Sequence, residues 1–256
     1  MCGRYAASAS PEEMIEVFDV QQVVDDPALP PLRPRFNIAP TDPVAAVMDR
    51  RSRQTDEVLR TLARPRWGLV PSWAKDRSAA ARLINARVET VAEKASFRKA
   101  FATRRCLLPA DGYYEWQRTP ATDGGRPGKQ PWWIQPVERA GEPPWMVMAG
   151  LYEFWRDPSL PDDHPRAWLA TCTIITTQAN DELGRIHDRM PVQVLRRDWD
   201  DWLDPALVDP LVAHDLLHLP GPGEMTSWPV SSAVGNVRND SPALREPVAL
   251  QPGLLE

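Results

Sequence analysis

The sequence predicts an α+β fold, a single domain with a mostly antiparallel, barrel-like β core flanked by short helices. Three observations point there. Strand-type and helix-type patterns mix without the regular βαβ alternation of a parallel sheet. No internal repeat and no Gly/Ser linker divides the 256 residues, which are enough to bury a substantial core. Three long β-rich runs lie in the middle of the chain, where short helical patterns are sparse.

Taken in order, residues 11–20 carry an amphipathic helical pattern, with Ser10 as N-cap, Pro11 at the first position and two acids in the first turn. Residues 27–40 contain five prolines and read as extended and loop-like. Residues 44–48 and 58–69 read as strands, and 87–101 as a helix with Val88, Val91, Ala92, Ala95 and Phe97 as its apolar positions. The β-rich runs follow at 106–116, at 131–137 with 145–155, and at 167–177. Short helices are expected at 180–187, 197–203 and 205–219, and a last strand at 226–232. Residues 118–129 and 156–166 look like surface loops. The domain is expected to span 1–250, with 251–256 as a tail.

Composition excludes several classes. The chain is 43% hydrophobic and 25% charged, which fits a globular protein rather than a disordered one. No window holds the ~18 apolar residues of a membrane span, and the N-terminus lacks an apolar signal segment, so a cytoplasmic location is expected. Cys2, Cys106 and Cys172 form no even set and no CxxC pair, which argues against a disulfide framework or a cysteine-based zinc site. His214 and His218 share a helical face but lack an HExxH glutamate. Gly128-Lys129 is followed by Gln130 and makes no phosphate-binding loop. Neither a metal nor a cofactor is called for.

The net charge of −5 conceals an asymmetry. Residues 64–105 hold eleven Lys/Arg against three acids, which is +8 and leaves −13 on the remainder. A basic segment in an acidic frame fits a face that meets a polyanion, or equally a solvated arginine-rich surface balanced in three dimensions. Trp67 and Trp73 lie inside this segment, where rings between arginines can stack nucleobases. Trp132, Trp133, Trp168, Trp199 and Trp202 follow strand or helix patterns and read as core.

Cys2 is the sharpest chemical feature. Removal of Met1, usual before a small second residue, would leave a free α-amine and a thiol on one residue. At neutral pH roughly a tenth of such an amine is neutral and nucleophilic. The amine can condense with an aldehyde to an imine, and the thiolate can then close a thiazolidine on the same carbon. The alternative is an inert cysteine at the start of translation. His187 lies between two arginines and beside Asp188, a setting suited to catalysis. Glu115 sits in an aromatic stretch that would raise its pKa for acid–base work, or else ends a strand in water. Asn85 opens the basic helix, as a cap or as a site residue. Cys106 and Cys172 fall in apolar runs and read as packing.

Several segments occur together in order: Met1-Cys-Gly-Arg-Tyr5, Phe36-Asn-Ile-Ala-Pro40, Trp67-Gly-Leu-Val-Pro-Ser-Trp73 and Asn85-Ala-Arg-Val-Glu-Thr90. Arg105-Cys-Leu-Leu-Pro-Ala-Asp-Gly-Tyr-Tyr-Glu-Trp116, Ile186-His-Asp-Arg-Met-Pro191, and Pro229-Val-Ser231 with Val234-Gly-Asn-Val237 follow. Through these the chain closely resembles the SRAP family (SOS response-associated peptidase domain), the abasic-site-shielding proteins, from residue 1 to about 248. The resemblance implies single-stranded DNA as partner and a covalent thiazolidine between Cys2 and the ring-opened sugar of an abasic site. It implies Asn85, Glu115 and His187 as the other catalytic residues. It also implies Arg4, Arg87, Pro40 and Thr176 as DNA contacts, with Trp73 as a stacking residue. Ala74 follows Trp73 where some relatives have a second aromatic. A nucleoid-associated monomer with weak strand-cleaving lyase activity is the accompanying expectation. The rivals are a cysteine-dependent (auto)peptidase built on Cys2, His187 and Glu115, and a non-covalent DNA-binding module.

Overall fold

A computed structural model describes residues 2–24, 26, 29–51, 55–119, 128–164 and 166–250. In chain order the elements are β1 (Tyr5–Ala7), α1 (Pro11–Val17), β2 (Gln22–Val23), β3 (Arg35–Ile38), β4 (Ala46–Arg51), β5 (Val58–Ala63), β6 (Arg66–Trp67) and β7 (Asn85–Arg87). Then come α2 (Arg98–Thr103), β8 (Arg105–Ala110), β9 (Gly112–Arg118), β10 (Lys129–Pro136), β11 (Met146–Arg156) and β12 (Trp168–Gln178). The last are α3 (Asp181–Gly184), β13 (Arg189–Pro191), α4 (Trp199–Leu203), α5 (Pro210–Asp215) and β14 (Met225–Pro229).

The fold is α+β and mostly antiparallel, in two sheets. The smaller has the order β14-β10-β9-β1-β3, and the larger runs β13-β12-β11-β8-β4-β5-β2. The short strands β6 and β7 add to β12 in parallel. Strand alternation shows how the layers stack. Val47, Leu107, Ala149, Leu151 and Ile175 enter one apolar cluster, shared with Phe97 and Phe101 of the α2 region and Trp199 and Trp202 of α4. Their neighbours Ala46, Met48, Cys106, Leu108, Met148, Cys172 and Ile174 enter a second cluster, together with Cys2, Tyr5 and Tyr113 near or on the small sheet. The large sheet is therefore buried on both faces, which is why its strands read as near-continuous apolar runs.

Several sequence expectations are corrected. Residues 106–116 are two strands in different sheets, because the chain turns a corner at Asp111. The Asp111 carboxylate accepts from Ser8 N–H (3.0 Å) and from Arg245 (2.6 Å). Gly112 follows because a Cβ there would come within 2.4 Å of Ile134 O. Residues 87–101 form no continuous helix. Asn85–Arg87 pairs with β12 instead, Val88–Thr90 is a single 3₁₀ turn, and only Arg98–Thr103 is α-helical. Of the expected apolar positions Val88, Val91 and Phe97 are buried, while Ala92 and Ala95 are exposed. Asn85 is thus a strand residue and caps no helix. Residues 205–219 contract to α5, capped by Asp209, and 180–187 to α3, capped by Asn180. Strands β1, β2, β3 and β13 were not expected. Most of the 118–129 loop and the 251–256 tail lie outside the described residues.

Asn37 on β3 ties the C-terminal segment to the small sheet. It is fully buried, and its Nδ2 donates to Val234 O, Asn236 O and Asn239 O, while its Oδ1 accepts from Arg4 Nη1 (2.8 Å). Asn37→Ala should cost about 2–4 kcal/mol in urea unfolding, because it removes the amide bonds to three carbonyls and the charge-assisted bond from Arg4.

Candidate active site

Strand β1 lies between β3 and β9, with Tyr5 opposite both Ile38 and Tyr113. The ladder runs one step further, Tyr114 N–H donating to Arg4 O (2.9 Å). This holds the segment before β1 against β9 and brings Cys2 into the interior, where it is fully buried. From the other sheet, β7 delivers Asn85, whose Nδ2 donates to Cys2 O (2.8 Å). The register Ile174–Asn85 on β12 sets that position. Asn85 Oδ1 is buried and has no hydrogen-bond partner among the described residues.

Glu115 on β9 is 3% exposed. Burial is the largest cause of a pKa raised to about 7, a value suited to giving and taking protons at neutral pH. The Cys2 thiol is pushed well up, first by burial and then by the Glu115 carboxylate, with the Arg4 backbone N–H acting in the opposite direction. Cys2 and Glu115 are thus electrostatically coupled.

His187 lies in the loop between α3 and β13. That loop is pinned to the small sheet by Gln117 Nε2 donating to Arg185 O (3.1 Å) and by the Arg185 guanidinium over the Trp132 ring (5.8 Å). The ring is half-buried, and burial first of all lowers its pKa, which favours the neutral form. Nδ1 has two mutually exclusive contacts: it accepts from Arg189 N–H (3.1 Å) when bare and donates to Asp188 (2.9 Å) when protonated. Asp188 also acts on Glu115 electrostatically, which places the His187 loop at the same site. Leu183 and Ile186 share the apolar cluster of Cys2.

The residues assigned to DNA fall into two groups. Arg87 is exposed at the end of β7, and Trp73 is 66% exposed. Trp73 borders a cleft lined by Pro71, Ser72, Ser96, Arg98 and Lys99. Pro40 is partly exposed and begins a turn in which Thr41 has a φ of +75°. Arg4 is half-buried, with Nη1 on Asn37 and on Val234 O (2.8 Å each) and its guanidinium over Trp116 (5.8 Å). Thr176 is buried. Its Oγ1 faces Ala86 O at 3.5 Å, and its carbonyl accepts from Arg189 (2.5 Å). Arg189 in turn grips Glu89 with two bonds (2.7 and 3.0 Å), so this cluster ties the Asn85–Arg87 strand to the His187 loop. Trp67, by contrast, is 1% exposed, donates to Ile84 O (2.8 Å) and packs edge-on against Tyr5, which corrects its reading as a stacking platform. Of the basic segment, Arg66, Lys75, Arg77, Arg82, Arg87, Lys94, Arg98 and Lys99 are exposed. Arg105 is buried, held by Phe101, Ala102, Trp202 and Asp204 carbonyls.

Two polar residues at or beside the site were not singled out from sequence. Asn37 was visible only as a polar residue in an apolar motif. Tyr113 was signalled by its place two residues before Glu115 on a strand, and hence on the same face. Among the described residues no cluster of His, Cys, Asp or Glu could hold a metal ion, and no helix is long and apolar enough to cross a membrane.

Comparison with known proteins identifies the family. The family model "SOS response associated peptidase (SRAP)" matches residues 1–237. The abasic site processing protein YoqW of Bacillus subtilis is 36% identical over 247 residues, covering 96% of this chain and 99% of that protein. YedK of Escherichia coli, also an abasic site processing protein, is 32% identical over 249 residues and covers 97% and 100%. HMCES of Xenopus tropicalis, of the same description, is 31% identical over 274 residues, covering 94% of this chain and 77% of that protein. A crystal structure from Bacteroides thetaiotaomicron superposes with a TM-score of 0.76 at 22% identity, over 97% of this chain and all of that one, and so shares the fold. With its fold, ordered motifs and residues 1–237 all matched, the chain belongs to the SRAP family.

Proposed function

We propose that the chain, once Met1 is removed, binds single-stranded DNA and joins Cys2 covalently to abasic sites, shielding them. The observation that carries this reading is Cys2 held by Asn85 beside a buried carboxyl that titrates near 7. The names of the relatives, abasic site processing proteins, support it.

In this mechanism Glu115 moves protons while the sugar opens. It gives a proton to the ring oxygen as the C1′–O bond breaks, and takes back the C1′ hydroxyl proton as the aldehyde forms. The Cys2 amine adds to C1′, water departs with a proton from Glu115, and an imine forms. The Cys2 sulfur then bonds to the same carbon, and the imine nitrogen takes up the proton. The net products are a thiazolidine and one water. Asn85 fixes the Cys2 backbone, and His187 stabilises charge on the sugar hydroxyl. Arg4 and Arg87 hold flanking phosphates, Pro40 and Trp73 border the strand, and Thr176 orders the Arg87 strand from behind. The imine can also lose the 3′ phosphate by β-elimination, giving a weak lyase side reaction.

The electrostatics disfavour a peptidase. A cysteine–histidine nucleophile needs a lowered thiol pKa and a protonated imidazole. Here the thiol is pushed up and the ring down.

The test uses single-stranded DNA bearing one abasic site and protein whose intact mass shows loss of Met1. A heat-stable shifted band on a denaturing gel is expected with this DNA and not with an intact oligonucleotide. Non-covalent binding should weaken steeply with salt. Binding without a stable band would leave only the non-covalent reading, and no binding would sink both.

A further inference from the structure

Arg4 stands apart from the other cation assigned to DNA. Arg87 is exposed, whereas Arg4 is half-buried, and burial is the first cause of its lowered pKa. A half-buried guanidinium needs partners, and those of Arg4 are neutral. Nη1 donates to Asn37 Oδ1 and to Val234 O (2.8 Å each), and the Trp116 ring lies 5.8 Å away. Among the described residues no carboxylate pairs with it. Asp42, the acid that acts on it from a distance, is bonded to Arg35 instead (3.0 Å). Among the described residues Nη2 makes no hydrogen bond, and unlike Nε it is not buried. Asn37 cannot turn to follow a moving arginine. It is fully buried, and its Nδ2 donates to Val234 O (3.2 Å), Asn236 O (3.1 Å) and Asn239 O (2.8 Å). Its backbone N–H donates to Asp240 (3.1 Å). With the amide held that way, Oδ1 is the atom that faces Arg4.

We propose that Asn37 is a positioning residue for DNA: its neutral Oδ1 fixes the Arg4 guanidinium through Nη1 without cancelling its charge, and leaves the Nη2 edge for a phosphate. An aspartate would hold Nη1 more tightly, but its negative charge would offset the positive one that attracts the strand. Asparagine gives order without neutralisation. The C-terminal turn Ser232–Gly235 shares this task through Val234 O, although it supplies no charged group. This assignment rests on the proposed phosphate contact of Arg4, and non-covalent binding tests it apart from the reaction at Cys2.

The experiment measures Kd for a fluorescent single strand without an abasic site as salt is raised, in wild type, Arg4→Ala, Asn37→Asp and the double variant. Arg4→Ala should lower the slope of log Kd against log salt by about 0.7, the value of one phosphate contact on a single strand. Asn37→Asp should lower it equally and weaken binding about tenfold at moderate salt. The double variant should lose no more than either single one. A purely structural asparagine would instead lower the melting temperature of Asn37→Asp and leave its slope at the wild-type value, which overturns the proposal. Wild-type protein with isotope-labelled arginine, read by NMR, needs no variant at position 37. Arg4, identified by the signals missing from Arg4→Lys, should show separate Nη1 and Nη2 signals, and DNA should shift Nη2 more than Nη1. A single averaged signal would also overturn the proposal. Slopes that depend on Asn37 in a protein that forms no adduct with abasic DNA would uphold it and sink the covalent step. Adduct formation with slopes indifferent to Asn37 would sink this assignment alone.

Discussion

In Cys2→Ser the heat-stable adduct with abasic DNA should fall to background, a loss of at least roughly a thousandfold, while binding to intact single-stranded DNA stays within about twofold. The reason lies in the order of bond making. Serine keeps the α-amine, so the imine at C1′ still forms. Its hydroxyl ionises far less readily than a thiol and traps the imine poorly. The imine then has time for β-elimination, and strand cleavage should rise as the adduct disappears. A gel with labels at both DNA ends reads the two products together. Cys106 and Cys172 cannot substitute, because both lie inside strands of the large sheet and neither carries the free α-amine on which the imine forms. A persistent adduct of unchanged yield would mean that another nucleophile forms it.

Glu115→Gln should slow adduct formation by about a hundredfold to ten-thousandfold and yet stabilise the fold above neutrality. The sign follows from linkage. The folded carboxyl titrates at about 7 against a reference of 4.5. Between those values the folded state binds more protons than the unfolded state, so stability declines as pH rises through the window. Above about pH 7 the full penalty is present, on the order of 3 kcal/mol for a shift of this size. Glutamine never ionises and avoids it. Urea unfolding should therefore show the variant more stable by about 2–3 kcal/mol at pH 8 and nearly equal to wild type at pH 4. The wild-type adduct rate should carry an inflection near 7. Equal unfolding curves at pH 8 would show that Glu115 is not held in a desolvated site.

Much of this was legible in the sequence, for local reasons. The β-rich runs announced themselves because both faces of the large sheet are buried. Helix α1 was marked by Ser10 and Glu13, which exchange hydrogen bonds as a capping box. The amine and thiol of Cys2 are a chemical pair that no fold is needed to recognise. The failures have a common cause. Residues 87–101 have helical periodicity, but β12 offers the Asn85–Arg87 backbone a partner strand that local propensity cannot foresee. Trp67 and Trp73 looked equivalent between arginines. The turn at Gly68, with a φ of +127° and Ala80 O where a side chain would sit, sends one ring inward and leaves the other outside.

By itself the sequence determined the fold class and the family, and it singled out Cys2 as the proposed reagent, because periodicity, turn chemistry and the ordered motifs are written along one chain. Only the tertiary structure decided which groups share a pocket. Cys2, Asn85 and Glu115 come from three separate stretches of chain, and pairing in two sheets draws them together. Burial there raises the Glu115 carboxyl to about 7 and leaves the Tyr113 hydroxyl without a partner. Desolvation depends on everything that surrounds a side chain, and no neighbour in sequence specifies it.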